Sequence, residues 1–221
     1  MTTPFLLLQL ADGTFPSGGF AHSAGLEASA ELGGLGAHDA TDALDAFVDD
    51  AIVQATHATL PFVRAACLDP SHLAELDDAF DATVPLDVPN RASRALGRAL
   101  ASAFGRVFDA PAIAVITAHT RRAPAHHAPV FGALYGALAI DPEEAATAYL
   151  HGTVRALLSA AVRLGLVGPL EAQRMHHARE AAMRAALART DLTPDDVATT
   201  APLVELWGAL HDRLDARLFQ S

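Results

Sequence analysis

The sequence contains no lysine: all 15 of its basic residues are arginine. A Walker A loop needs a lysine amine on the β- and γ-phosphates, and Schiff-base or pyridoxal chemistry needs an amine that forms an imine, so none of these operates from a side chain here. Cysteine occurs once, at Cys67. A single thiol makes neither an intramolecular disulfide nor a multi-thiolate zinc site, and the apolar setting Val63-Arg64-Ala65-Ala66-Cys67-Leu68 favours a buried structural cysteine. Aromatic residues reach only 6% while hydrophobic residues make up 51%, so the core must come from many small and medium side chains at close spacing, as in packed helices. Positive charge is also scarce: 15 basic against 26 acidic residues leave a net charge of −11, which disfavours nucleic acid as a partner. Long apolar runs are missing as well. None approaches the roughly 20 residues that cross a bilayer, and the amino terminus lacks the basic start of a signal peptide. The expectation is a cytoplasmic protein with no membrane partner.

What is present is helical periodicity. Asp141-Pro142-Glu143-Glu144 offers a capping carboxylate, a proline where its missing N–H costs nothing and a glutamate that can reach back to the cap. A long helix should come next, with Ala146, Leu150, Val154, Leu157, Ala161 and Leu164 on one face. Thr193-Pro194-Asp195 repeats the device and Asp69-Pro70 resembles it. Leu96, Leu100, Phe104 and Phe108 mark another core stripe, with Arg91, Arg94 and Arg98 on a separate face that reads as solvated. Ile113-Ala114-Val115-Ile116-Thr117 has strand propensity but no second strand to pair with, and is read as helix. Residues 84–89 and 121–129 are the clearest loops, and neither resembles a domain linker. The fold expected is an all-α single domain over residues 1–221, a helical bundle of roughly ten helices.

The glycine-rich stretch 15–27, FPSGGFAHSAGLE, precedes no lysine and does not match the dinucleotide fingerprint, so it is not a phosphate cradle. His22 and Ser23 are adjacent, but a nucleophile elbow needs its serine between glycines at fixed spacing. What remains is a non-helical passage between two helices, a common place for recognition. Eleven histidines include the pairs His126-His127 and His176-His177. Neighbours on a helix point to different sides and do not form an i, i+4 clamp, so no tight metal site is expected, although transient nickel contact stays open. Leu206, Leu210, Leu214 and Leu218 continue one amphipathic face to the chain end, where Phe219 hints at a surface completed by another chain.

In order along the chain, Leu7-Leu8-Gln9-Leu10, Phe15-Pro16 with Gly18-Gly19-Phe20-Ala21-His22-Ser23 and Gly25-Leu26-Glu27, Arg91-Ala92-Ser93 with Gly97-Arg98-Ala99-Leu100, and His127-Ala128-Pro129-Val130-Phe131-Gly132 resemble blocks of the UreF family of urease accessory proteins. Ser159 to Leu164, His211 and Arg217-Leu218-Phe219-Gln220-Ser221 complete the resemblance, while Asp215 stands where the family commonly has an aromatic. The resemblance implies a urease maturation factor, not an enzyme and without a cofactor. Such a scaffold dimerises, binds UreD (also called UreH), recruits and regulates the GTPase UreG, and assists nickel delivery to apo-urease. By position it assigns Phe20, His22, Ser23, Gly25 and Glu27 to the UreG side, and Arg217, Leu218 and Phe219 to the UreD side. The competing reading is a stand-alone nickel-binding chaperone.

Overall fold

A computed structural model describes residues 4–33, 35 and 40–221. Among them are twelve α-helices and no strand: α1 (Pro4–Ala11), α2 (Leu26–Glu31), α3 (Ala40–Ala58), α4 (Leu60–Leu68), α5 (Leu73–Thr83), α6 (Asp87–Val107), α7 (Pro111–His119), α8 (His127–Ala137), α9 (Pro142–Arg163), α10 (Pro169–Ala178), α11 (Glu180–Leu187) and α12 (Pro202–Leu210). Single 3₁₀ turns lie at Gly19–Ala21, Pro70–His72, Pro194–Asp196 and His211–Arg213. The all-α reading holds, with two helices more than the expected ten or so.

Helix α8 is the centre. Ala128 through Tyr135 are buried without interruption, as befits a helix with no polar face, and α4, α5, α6, α7 and α9 pack around it. The crossing with α4 is close because it uses glycine: a Cβ on Gly132 would lie 2.3 Å from the Val63 carbonyl oxygen, and one on Gly136 2.2 Å from that of Cys67. Cys67 is buried, donates to the Ile140 carbonyl at 3.4 Å, and has its thiol pushed up to about 12 by desolvation. That is the environment of an inert cysteine. The long α9 begins as its sequence requires, the Asp141 side chain accepting the Glu143 amide at 2.8 Å. Glu143, at the second helical position, reaches across to Arg64 at 2.8 and 2.9 Å.

Four local expectations are corrected. The 84–89 loop is shorter, since α6 starts at Asp87 and places Pro89 in its first turn, where no amide is needed. The 121–129 loop likewise ends at His127, with Pro129 inside the first turn of α8. Thr193-Pro194 does form a capping box with Asp196, but it opens only a single 3₁₀ turn, because no apolar repeat continues beyond it. The terminal stripe ends at Leu210: Leu214 is extended (φ −72°, ψ 133°), so Leu218 does not lie on the α12 face. No helix among the described residues is long and apolar enough to cross a membrane.

Candidate functional site

The chain leaves α1 through an Asx turn in which the Asp12 carboxylate accepts Thr14 N at 2.7 Å and Thr14 Oγ1 at 2.6 Å. Phe15 then anchors the loop edge-on against Phe104, 5.5 Å between centroids. Two glycines carry the next turns. Gly18 (φ +84°) lies against α6, and Gly25 (φ +87°) opens α2 with its backbone pressed on α12, where a Cβ would stand 2.7 Å from Gly208 N. No other residue fits a left-handed position with backbone that close.

Gly25 delivers Glu27 into the interior, only 3% exposed, and the carboxylate gathers donors from the far end of the chain. His211 Nε2 lies 2.8 Å from one oxygen, to which Phe219 N also donates at 3.2 Å, and Leu218 N donates to the other at 2.5 Å. Backbone bonds extend the junction: Gln220 N to the Ala21 carbonyl at 2.8 Å, and Ser23 N to Ser221 O at 2.6 Å. Ser23 Oγ also bonds Ser221 O at 3.0 Å, and His22 Nδ1 meets Ser221 Oγ at 2.6 Å. Burial, and secondarily the charge of His211, push the His22 pKa down. His127 is lowered to about 4, chiefly by desolvation and further by His22.

Arg163, in the last turn of α9, locks the outside of this junction. Its guanidinium carbon lies 3.8 Å from the Phe20 ring centroid and 4.1 Å from that of Phe219, and Nη1 donates to the Phe20 carbonyl. Phe20 nevertheless leaves 70% of its surface to solvent and Leu218 leaves 55%, whereas Phe219 is buried. The chain itself therefore completes the surface around Phe219. Arg217 pairs with Asp212 at 2.9 Å.

The structure thus brings both sequence-predicted groups together in one place. Phe20 and Leu218 are presented outward, Glu27, Ser23 and His22 hold the tail, and Gly25 permits the approach. Sequence reasoning missed Arg163, which sits inside an ordinary amphipathic pattern, and the bonding role of Ser221. It also missed a second junction. Asp77, fully buried, accepts Ala125 N and His126 N at 2.7 Å each, and Asp81 accepts His126 Nε2 at 2.9 Å, Asn90 Nδ2 at 2.9 Å and Arg94 Nη2. The i, i+4 spacing of these aspartates was the available signal. Those bonds hold Asp81 far below the ordinary carboxylate range, the Asn90 bond contributing most.

The arginine row expected to be solvated is exposed at Arg91 and Arg98 and half-buried at Arg94, and each makes a surface bond: Arg91 pairs with Asp87 and Asp212, Arg94 with Asp81, and Arg98 donates to the Ala123 carbonyl at 3.3 Å. Of the paired histidines, His126 bonds Asp81 while His127 packs against Phe131 and Tyr149; His176 meets the His151 ring and His177 is exposed near Glu180. Among the described residues no group of three or more histidine, cysteine or carboxylate side chains is arranged to hold a metal.

The family model for UreF matches residues 38–180. The chain is 33% identical over 220 residues to urease accessory protein F of Arabidopsis thaliana, covering 96% of this chain and 90% of the relative. It is 30% identical over 221 residues to urease accessory protein UreF of Arthrobacter sp. (strain FB24), covering 97% and 96%. Urease accessory protein UreF of Bacillus sp. (strain TB-90) is 26% identical over 221 residues, covering 97% of each.

Proposed function

The chain belongs to the UreF family of urease accessory proteins, and from that premise we propose that it is a non-catalytic scaffold for urease maturation in the cytoplasm. In this reading it binds UreD (UreH), recruits the GTPase UreG and regulates it, works as a homodimer in the complex and assists nickel delivery to apo-urease.

The observation that carries the reading is the Arg163 junction. The rings of Phe20, the proposed anchor for UreG, and of Phe219, in the tail proposed for UreD, lie 3.8 and 4.1 Å from one guanidinium carbon. Two partners engaging these elements would sit side by side, as an assembly scaffold requires. An exposed aromatic held by a rigid cation has little side-chain freedom left to lose, which favours it as a binding anchor.

The test is light scattering after size exclusion of the protein mixed with the UreD-like and UreG-like proteins of its own organism. Removing Arg217 to Ser221 would also strip Glu27 of two donors, so exposed-site variants separate binding from folding. Phe20→Ala should retain UreD and lose UreG capture by about tenfold or more; Leu218→Glu should lose UreD with the helical circular dichroism unchanged. Full assembly by both variants would refute the placement. Failure of the intact chain to assemble with either partner, together with a tight one-to-one nickel complex, would replace the scaffold with a nickel-binding chaperone.

A further inference from the structure

The buried or half-buried arginines other than Arg155 close on oxygen. Arg64 meets Glu143 at 2.8 Å, Arg179 meets Asp49 at 3.1 Å, Arg189 meets Asp191 at 2.8 Å, Arg94 reaches Asp81, and Arg163 reaches the Phe20 carbonyl. Arg155, half-buried on α9, is different: among the described residues it forms no ion pair, and its Nε is buried without a hydrogen-bond partner. A guanidinium N–H taken out of water without an acceptor is costly unless something binds it.

Its surroundings supply further donors. Arg155 Nη1 is seated against the turn after α1, where a Cβ on Gly13 would come within 2.8 Å of it. His151, one turn earlier on the same face of α9, has its ring 4.9 Å from that of His176 on α10, and His176 Nε2 is also buried and unpartnered. His151, Arg155 and His176 are each half-buried, so part of every side chain in the cluster reaches solvent. Asp12, the carboxylate whose charge interacts with Arg155, is turned toward Thr14 instead.

Two touching imidazoles could suggest a divalent cation. The guanidinium argues against that: after burial, the positive charge of Arg155 is a further cause of the lowered proton affinity of both rings, and it would repel a metal ion in the same way. We propose that Arg155, His151 and His176 form a binding site for a small oxyanion of the phosphate type, the guanidinium fork and the imidazole N–H groups meeting its oxygens. The site is independent of the partner surface around Phe20 and of the UreF reading.

The test titrates the intact protein at neutral pH with inorganic phosphate, and separately with phenyl phosphate, at ionic strength held constant with sodium chloride, while the histidine ring resonances are followed by NMR. The His151 and His176 signals should move saturably, whereas those of the exposed His72 and His177 stay still. Phenyl phosphate acting where inorganic phosphate does would mean that a phosphoryl group carried on a larger molecule is accepted; phosphate alone would restrict the ligand to the free ion. Arg155→Met should weaken binding by about tenfold or more, and Arg155→Lys, which keeps the charge but loses the fork, by less. Shifts linear in phosphate, reproduced by chloride or unchanged in Arg155→Met would mean an adventitious ion only. If Arg155→Met fails to fold, the wild-type titration and Arg155→Lys decide the matter.

Discussion

Glu27 shows how one residue can carry a site without touching a ligand. Its carboxylate, itself buried, takes donors from the buried His211 and Phe219 and from the backbone of the outward-facing Leu218. Glu27→Ala would leave three donors unpaired and should destabilise the protein by about 2–4 kcal/mol, read as a lowered urea midpoint, with faster proteolysis at residues 214–221. Equal midpoints and equal cleavage would show the junction to be dispensable. The sequence made Glu27 visible as part of a motif but not as a hub, because its partners lie 184 to 192 residues away and two of them are backbone amides. No side-chain pattern encodes a backbone donor. Arg163 was obscure for a related reason: in a helix's last turn a basic residue ordinarily needs no explanation beyond the helix dipole.

At the scale of elements, the periodic helices were readable and their limits less so. Asp141-Pro142 begins a helix of 22 residues because apolar residues recur at threes and fours behind it, whereas the same device at Thr193-Pro194 begins one short turn, since residues 197–200 carry no such repeat. Local caps start a helix; only burial continues it. The α4–α8 crossing gives a sharp test of packing. Gly132→Ala would drive a methyl onto the Val63 carbonyl and should cost about 2–3 kcal/mol. Gly152→Ala on α9 meets open space and should gain about 0.5–1 kcal/mol from helix propensity. Chemical denaturation of the pair should show shifts of opposite sign. Sequence alone does not separate these two glycines, since both sit within helical patterns and differ only in what lies across from them.

For the whole molecule, the histidines set the response to acid. His22, His126, His127, His151 and His176 all bind protons less readily when folded than their ordinary value of 6.5, in each case mainly because burial disfavours the charged ring. The unfolded chain therefore takes up protons first, so stability present above pH 6.5 is lost as pH falls toward 4, where His127 titrates in the fold. Acidification also relieves the self-repulsion of a chain with net charge −11, an opposing effect that added salt suppresses. Urea midpoints in high salt should fall across this interval, and His127→Gln should flatten the slope even where it lowers every midpoint. A pH-independent midpoint would contradict the assignment.

The bonds from Glu27 to residues 218 and 219 span 191 and 192 positions of the chain. Synthesis runs in one direction, so Glu27 emerges long before its amide donors exist, and closing so long a loop is entropically worthwhile only after the intervening helices have packed. The face bearing Phe20 is therefore finished last. A polypeptide that stops short of residue 218, however helical, lacks the two amide donors and the Phe219 ring that close this junction.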